Sequence, residues 1–313
     1  MSAMPDRDPY DFIDLARLGR TDWWSGVKAF LRIVGWVFLV LTPLILVLGV
    51  IAYSRDLTQS QPFIEISFLV VYTSALWIGL HGAVVKSHGR PFLSLMSTDL
   101  GFDARRVAVG AALWFAAQLA VIAGLSLIQA IIDPGSLRDV AQSFTWPTDA
   151  MMLITGLLSF VVFPFQAAAE ELLFRGWLTQ TLGQAIRRRW LVVLIVALLF
   201  ALAHGDVRGV FAVLSYMVLS IGLSALSLGD RRLELAIGAH AANNIFVVAL
   251  ALVTSGPGGQ PTLFLQSTVV PWSAPLIVAA QMGLLYLVAR RFMRRPVASS
   301  DDVMADEYSA PIG

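Results

Sequence analysis

The sequence contains no cysteine, so disulfide bonds and thiolate metal ligands are both excluded. Charged residues make up only 14% of the 313 residues, whereas a soluble domain carries about 25%. Because 57% of the chain is hydrophobic, this shortage of charge predicts long segments that face lipid or other apolar helices on all sides. The net charge of +1 gives no indication of a nucleic-acid partner.

Apolar runs of about 20 residues predict an all-α, polytopic membrane protein with about eight transmembrane helices. We expect one transmembrane domain over residues 30–295, preceded by a tail over 1–29 and followed by a polar, disordered tail over 296–313. The predicted spans are roughly 30–53, 63–85, 106–132, 150–172, 190–204, 209–228, 235–254 and 273–292.

The basic residues alternate between the loops of this eight-span arrangement. Eighteen of the 22 lie in the two tails and in every second loop, and Arg55, Arg138 and Arg208 lie in the others. Because positive charge is retained on the cytoplasmic side, the pattern predicts that both termini are cytoplasmic.

Residues 9–29 interleave apolar and charged side chains, which predicts an amphipathic helix at the membrane interface. Phe12, Leu15, Trp23 and Trp24 would face the acyl chains. The alternative is a disordered tail that ends in a basic anchor.

Three polar clusters interrupt the apolar segments between residues 170 and 244, where a charged group costs about 2.5–3.5 kcal/mol on insertion scales. The first cluster contains Glu170, Glu171 and Arg175. Glu171 and Arg175 are spaced i,i+4 and can pair, whereas Glu170 lies about 100° further around the helix. A simple ion pair at a helix end would explain Glu171 and Arg175 but would leave Glu170 unexplained.

The second cluster places Phe200 and His204 on one helix face, and the third does the same with His240 and Asn244. Each pair taken alone is also compatible with polar residues that only join helices. If residues 150–204 form a hairpin around the Arg187–Arg189 turn, Glu170 and His204 lie at similar depth, roughly 25 Å from it.

A carboxylate that faces a histidine can activate a water molecule by general base catalysis. Glu170 and His204 are therefore the candidate water-activating pair, and His240 with Asn244 could stabilise the oxyanion formed when that water attacks a peptide carbonyl. The competing interpretation is a divalent metal site, such as zinc, with Glu170, His204 and His240 as ligands. The residues alone leave this choice open.

These residues resemble the motifs of the CPBP family of CAAX proteases and bacteriocin-processing enzymes, also called the Abi family. The family pattern is E-E-x-x-x-R, then F-x-x-x-H, then H-x-x-x-N, on successive membrane helices, and residues 150–250 contain all three motifs in order. The resemblance implies an intramembrane peptidase with Glu170, His204, His240 and Asn244 as catalytic residues. It implies supporting roles for Glu171, Arg175 and Phe200.

The leading hypothesis is an intramembrane endopeptidase that acts on a membrane-associated or lipidated peptide, in the inner membrane of a bacterium. The resemblance does not extend the prenylated substrate of the eukaryotic relative to this chain. Two other hypotheses are a non-enzymatic membrane protein that binds a partner or confers bacteriocin immunity, and a transporter that relays protons through Glu170 and the histidines.

Overall fold

The computed structural model of the protein describes residues 11–54, 61–135, 150–205, 209–254 and 270–293. Within these ranges the secondary structure is helical and contains no β-strand, which confirms the prediction of an all-α membrane protein. The predicted disordered tail over 296–313 lies outside the described residues, as do Arg55, Arg138 and Arg208.

The described ranges contain nine α-helices. In chain order they are α1 Trp23–Ser54, α2 Gln61–His81, α3 Ala104–Ile132, α4 Ala150–Glu171, α5 Thr179–Ala185, α6 Arg189–Ala203, α7 Val210–Asp230, α8 Glu234–Thr254 and α9 Ala274–Ala289. Two π-helical turns, Gly82–His88 and Leu172–Leu178, continue α2 and α4, and two short 3₁₀ helices cover Phe12–Leu18 and Phe92–Leu95.

Each of the eight predicted spans coincides with an apolar helix, but the helices differ in length. Five are long and apolar enough to cross a membrane: Trp23–Ile51, Ile64–His88, Ala104–Ile132, Gly156–Ala185 and Val210–Asp230. Three are shorter, namely Arg189–Ala203, Glu234–Leu250 and Ala274–Ala289. The count of eight spans therefore stays a prediction.

Helix α8 lies at the centre of the bundle and packs against α3, α4 and α7. Residues 232–242 are all buried, because the N-terminal half of α8 is surrounded by protein. In contrast, only 6% of the apolar window of α1 is buried inside the protein, and the same holds for α3. The outer surfaces of α1 and α3 are thus the ones that lipid would cover.

Two glycines allow α3 and α8 to approach closely. A methyl group at Gly110 would overlap the carbonyl oxygen of Leu235, and one at Gly238 would overlap that of Val107. Small residues at such crossings let the backbones of membrane helices come into contact. This contact fixes the position of α8 along α3. It therefore also fixes the position of His240, which lies two residues after Gly238.

Ion pairs join the helices at the end of the bundle where the basic loops lie. Arg106, in α3, contacts Asp230, at the end of α7, with an N–O distance of 2.5 Å. Arg232 contacts Glu234 at the start of α8, also at 2.5 Å, and pairs with Asp99 as well. These contacts hold the chain between α7 and α8 against the loop before α3.

The predicted helix over 9–29 is formed by two separate elements. The 3₁₀ helix Phe12–Leu18 buries Phe12 and Ile13, and α1 begins only at Trp23. The carbonyl oxygen of Ile13 accepts a hydrogen bond from Gln184 Nε2 at 3.0 Å, so this segment packs against α5. Its position at the membrane interface stays a prediction.

Replacing Gly238 by alanine should destabilise the bundle, because the added methyl group forces α3 and α8 apart. Overpacking of this kind costs about 1–3 kcal/mol. Gly283→Ala is the matched control, since its methyl group would meet nothing within 4 Å. Thermal unfolding in detergent should show a lower Tm for Gly238→Ala than for the control, and equal Tm values would contradict the packing described here.

Candidate functional site

The predicted site residues come from three neighbouring parts of the bundle. Glu170 and Glu171 are the last residues of α4, and Arg175 lies in the π-helical turn that follows. His204 caps the C-terminal end of α6, and His240 lies in α8. A π-helical turn widens a helix locally and is frequent at functional sites.

Arg175, Glu171 and His240 form a buried chain of polar contacts. Arg175 Nη1 donates to Glu171 Oε1 at 2.8 Å, and His240 Nδ1 lies 2.8 Å from the same oxygen. Arg175 Nη2 also donates to Ser220 Oγ at 2.8 Å. Because the carboxylate of Glu171 accepts, Nδ1 of His240 must carry the proton, which leaves Nε2 as the free nitrogen.

The side chain of Glu170 is buried, with 8% of the residue exposed and Oε2 inaccessible to solvent. Even so, it makes no hydrogen bond within the described part of the chain. His240 Nε2 lies 3.6 Å from Oε2. The two adjacent carboxylates thus have different surroundings, as the sequence predicted. Glu171 is paired with Arg175, and Glu170 lies against the free nitrogen of His240.

His204 lies close to this cluster without touching Glu170. Its Nδ1 bonds to the carbonyl oxygen of Phe200 at 2.8 Å, so its Nε2 is also free. Its ring stacks on Tyr216, with centroids 4.3 Å apart. Phe200 lies between the histidines, at 4.5 Å from the His204 ring and 5.7 Å from the His240 ring, and the Arg175 guanidinium covers it at 4.5 Å.

No hydrogen bond joins Glu170 to His204 in the described ranges, so their predicted pairing stays a prediction. The histidine that the structure brings next to the Glu170 carboxylate is His240, which also contacts Glu171. His204 is exposed at the C-terminal end of α6. The residue after it, Gly205, has a positive φ of 56°.

Asn244 lies one turn after His240 but bonds elsewhere. Its Nδ2 donates to Gln166 Oε1 at 2.9 Å, and its Oδ1 accepts from Asn243 Nδ2 at 3.1 Å. Gln166 is itself one turn before Glu170 on α4. The amide of Asn244 is thus oriented by α4, and one N–H of its NH₂ group remains for another acceptor.

In the part of the chain that the structure describes, these side chains are not grouped as metal ligands. No group of three His, Asp or Glu side chains among the residues with described placement has a geometry that could hold a metal ion. Glu170 and His240 are adjacent, but His204 faces Tyr216 and the Phe200 carbonyl. The geometry therefore does not fit the ligand set Glu170, His204 and His240.

Three residues of the site were missed in the sequence. Ser220 bonds Arg175, Gln166 bonds Asn244, and Tyr216 stacks on His204. Tyr216 and Ser220 are spaced i,i+4 on α7, and Gln166 and Glu170 have the same spacing on α4. This spacing was a usable signal, since polar residues one turn apart share a face.

Comparisons with known proteins match the part of the chain that holds the site. Residues 151–246 match the family model described as type II CAAX prenyl endopeptidase Rce1-like. The chain is also similar to the uncharacterized protein YyaK of Bacillus subtilis (strain 168), with 26% identity over 286 residues, which cover 84% of this chain and 90% of the relative. No solved structure gives a significant match. The family resemblance drawn from the motifs is confirmed.

Replacing Glu171 by glutamine should strongly destabilise the protein, because it removes the carboxylate that forms the ion pair with the buried Arg175. Breaking one partner of such a pair costs about 3–5 kcal/mol. The double variant Glu171→Met with Arg175→Met should recover part of the loss, and Glu65→Gln, a change outside the site, should have little effect. An unchanged Tm for Glu171→Gln would contradict the buried ion pair.

Proposed function

We propose that the chain is an intramembrane endopeptidase, because residues 151–246 match the family model described as type II CAAX prenyl endopeptidase Rce1-like. Its substrate is a membrane-associated or lipidated peptide. The observation that carries the proposal is the state of Glu170, a buried carboxylate that makes no hydrogen bond in the described ranges and has a histidine nitrogen 3.6 Å away. Such a carboxylate is available as a general base.

In the proposed reaction, Glu170 accepts a proton from a water molecule while the water oxygen attacks the carbonyl carbon of the scissile peptide bond. His204 Nε2 accepts a hydrogen bond from the same water and orients it. The tetrahedral intermediate collapses when its C–N bond breaks, and Glu170 returns the proton to the leaving amine. The proton taken from water therefore ends on the new N-terminus.

The negative charge of the intermediate requires hydrogen-bond donors. The free N–H of Asn244 is one candidate, because Gln166 fixes the plane of its amide. The other is His240 as an imidazolium, whose Nε2 takes up a proton from solvent as the substrate binds, and the Glu171 carboxylate at Nδ1 would stabilise this cation. Donors fixed before the reaction stabilise developing charge without reorganisation.

An apolar groove on the protein supports the proposal that the substrate enters from the bilayer. It lies between α4 and α8, has a volume of about 490 Å³ including its open side, and is lined by Leu157, Phe160, Val248 and Leu252 among others. Ile245, which follows Asn244, also lines it. An apolar segment or lipid chain in this groove would bring an attached peptide to Asn244.

The chain is an integral membrane protein, and its location and orientation are part of the proposal. We propose that it lies in a bacterial inner membrane with both termini in the cytoplasm, because the basic residues are concentrated in alternate loops. The relative YyaK comes from a bacterium.

Glu170→Gln and His204→Ala should each reduce cleavage about 10²-fold or more, because each removes a group that contacts the attacking water. The measurement is quantitative proteomics of new peptide termini in membranes from cells that make each variant at equal levels. Glu65→Gln and His81→Ala are matched controls, since both lie outside the site.

Cleavage products that persist at the same level in Glu170→Gln cells would contradict the proposal. An intact partner that co-purifies equally with the protein and with Glu170→Gln, without any cleavage product, would instead favour a binding protein.

A further inference from the structure

A second polar pocket lies away from the candidate site, where the N-terminal segment meets α5 and the end of the π-helical turn Gly82–His88. It is small and opens to the surface, and the space inside it that a water molecule can occupy is about 20 Å³. The side chains that matter here are Arg20, Asp22, His88 and Arg90, with Thr181 and Gln184 on the facing helix. The proposed peptidase reaction uses none of these residues.

Arg90 is a buried guanidinium that contacts no carboxylate in the described part of the chain. It is 3% exposed, its Nη1 donates to Gln180 Oε1 at 2.6 Å, and its Nε is buried without a hydrogen-bond partner. Burial lowers the pKa of Arg90 to about 10. A buried charge without a counter-charge is unfavourable, so an anion in the pocket would stabilise Arg90.

The neighbouring residues do not neutralise Arg90. His88 Nε2 accepts from Trp177 Nε1 at 3.0 Å, and its Nδ1 lies 2.7 Å from the carbonyl oxygen of Arg20, so His88 is a neutral ring with both nitrogens in use.

The one carboxylate in the pocket, Asp22, is also engaged. Its oxygens accept from the amide and the hydroxyl of Ser25 at the start of α1, at 3.0 and 2.7 Å. Arg20 is exposed at the pocket and adds a second positive charge. Two arginines and one carboxylate that is already bonded thus line the pocket.

The two residues that follow Asp22 in the sequence are typical of the boundary between lipid and water. Trp23 and Trp24 are 79% and 68% exposed, and they begin a helix long enough to cross the membrane. Tryptophan is enriched at the level of the lipid headgroups. The anion that is present at the level of the headgroups is the phosphate of a phospholipid.

We propose that this pocket binds a phosphate group, supplied by a phospholipid headgroup, between Arg20 and Arg90. The planar guanidinium matches two phosphate oxygens at once, and basic pockets between membrane helices bind anionic headgroups. Thr181, which also lines the pocket, can donate its hydroxyl to one of the two non-bridging oxygens of the phosphodiester. The bound headgroup holds the N-terminal segment against α5.

The test measures binding of phosphatidylglycerol to the full chain in detergent by native mass spectrometry, together with the change in Tm on adding the lipid. Arg20→Gln and Arg90→Gln should each weaken binding about tenfold or more, because each removes a charge-assisted hydrogen bond. Arg188→Gln, an exposed basic residue outside the pocket, should bind as the unchanged protein does.

Stability without lipid separates a binding role of Arg90 from a structural one. If Arg90 awaits an anion, Arg90→Gln should be at least as stable as the unchanged protein in lipid-free detergent, and it should gain nothing when lipid is added. Destabilisation of Arg90→Gln by the same amount with and without lipid would overturn the proposal. Equal lipid binding by all variants would overturn it as well.

A further titration with inorganic phosphate distinguishes the source of the anion. Phospholipid should raise the Tm at concentrations where inorganic phosphate does not. An equal rise with inorganic phosphate would overturn the headgroup as the ligand and would identify a site for free phosphate.

Discussion

The contact between His240 and the Glu171–Arg175 ion pair is the interaction on which the candidate site depends. It joins α8 to the end of α4 inside the apolar part of the bundle, where each of the three groups alone would be costly to bury. It also fixes which nitrogen of His240 carries the proton, and so leaves Nε2 towards Glu170. The same contact occupies Glu171, which gives two adjacent carboxylates different chemical states.

The rest of the fold maintains the geometry of this contact. Gly110 and Gly238 let α3 and α8 touch, so His240 stays at a fixed height. Ser220, on α7, holds the other side of Arg175, and Phe200, on α6, lies under the guanidinium. Two neighbouring helices, α6 and α7, therefore each contribute a contact to the ionic chain. The proposed reaction, which uses no nucleophilic side chain, needs such an arrangement, because its rate depends on fixed donors and a positioned base.

The helical class and the identity of the polar residues were predictable from the sequence, because apolar runs and their interruptions are local signals. The pairing of Glu171 with Arg175 also followed from i,i+4 spacing. The contact of His240 with both glutamates did not, because it depends on how α4 and α8 cross. The helix predicted over residues 9–29 also differed, since Phe12 and Ile13 are buried against other parts of the chain. Periodicity cannot tell such burial from burial in lipid.

The central claim is that Glu171 holds His240 as the tautomer protonated at Nδ1, and imidazole nitrogen NMR tests it most directly. The chain has four histidines, so the His240 signals of ¹⁵N-histidine-labelled protein can be assigned by comparison with a His240→Ala sample. The account predicts a protonated Nδ1 and an unprotonated Nε2 for His240 in the unchanged protein. It also predicts that Glu171→Gln, in whatever fraction remains folded, alters this state. A neutral His240 protonated at Nε2 in the unchanged protein would contradict the account.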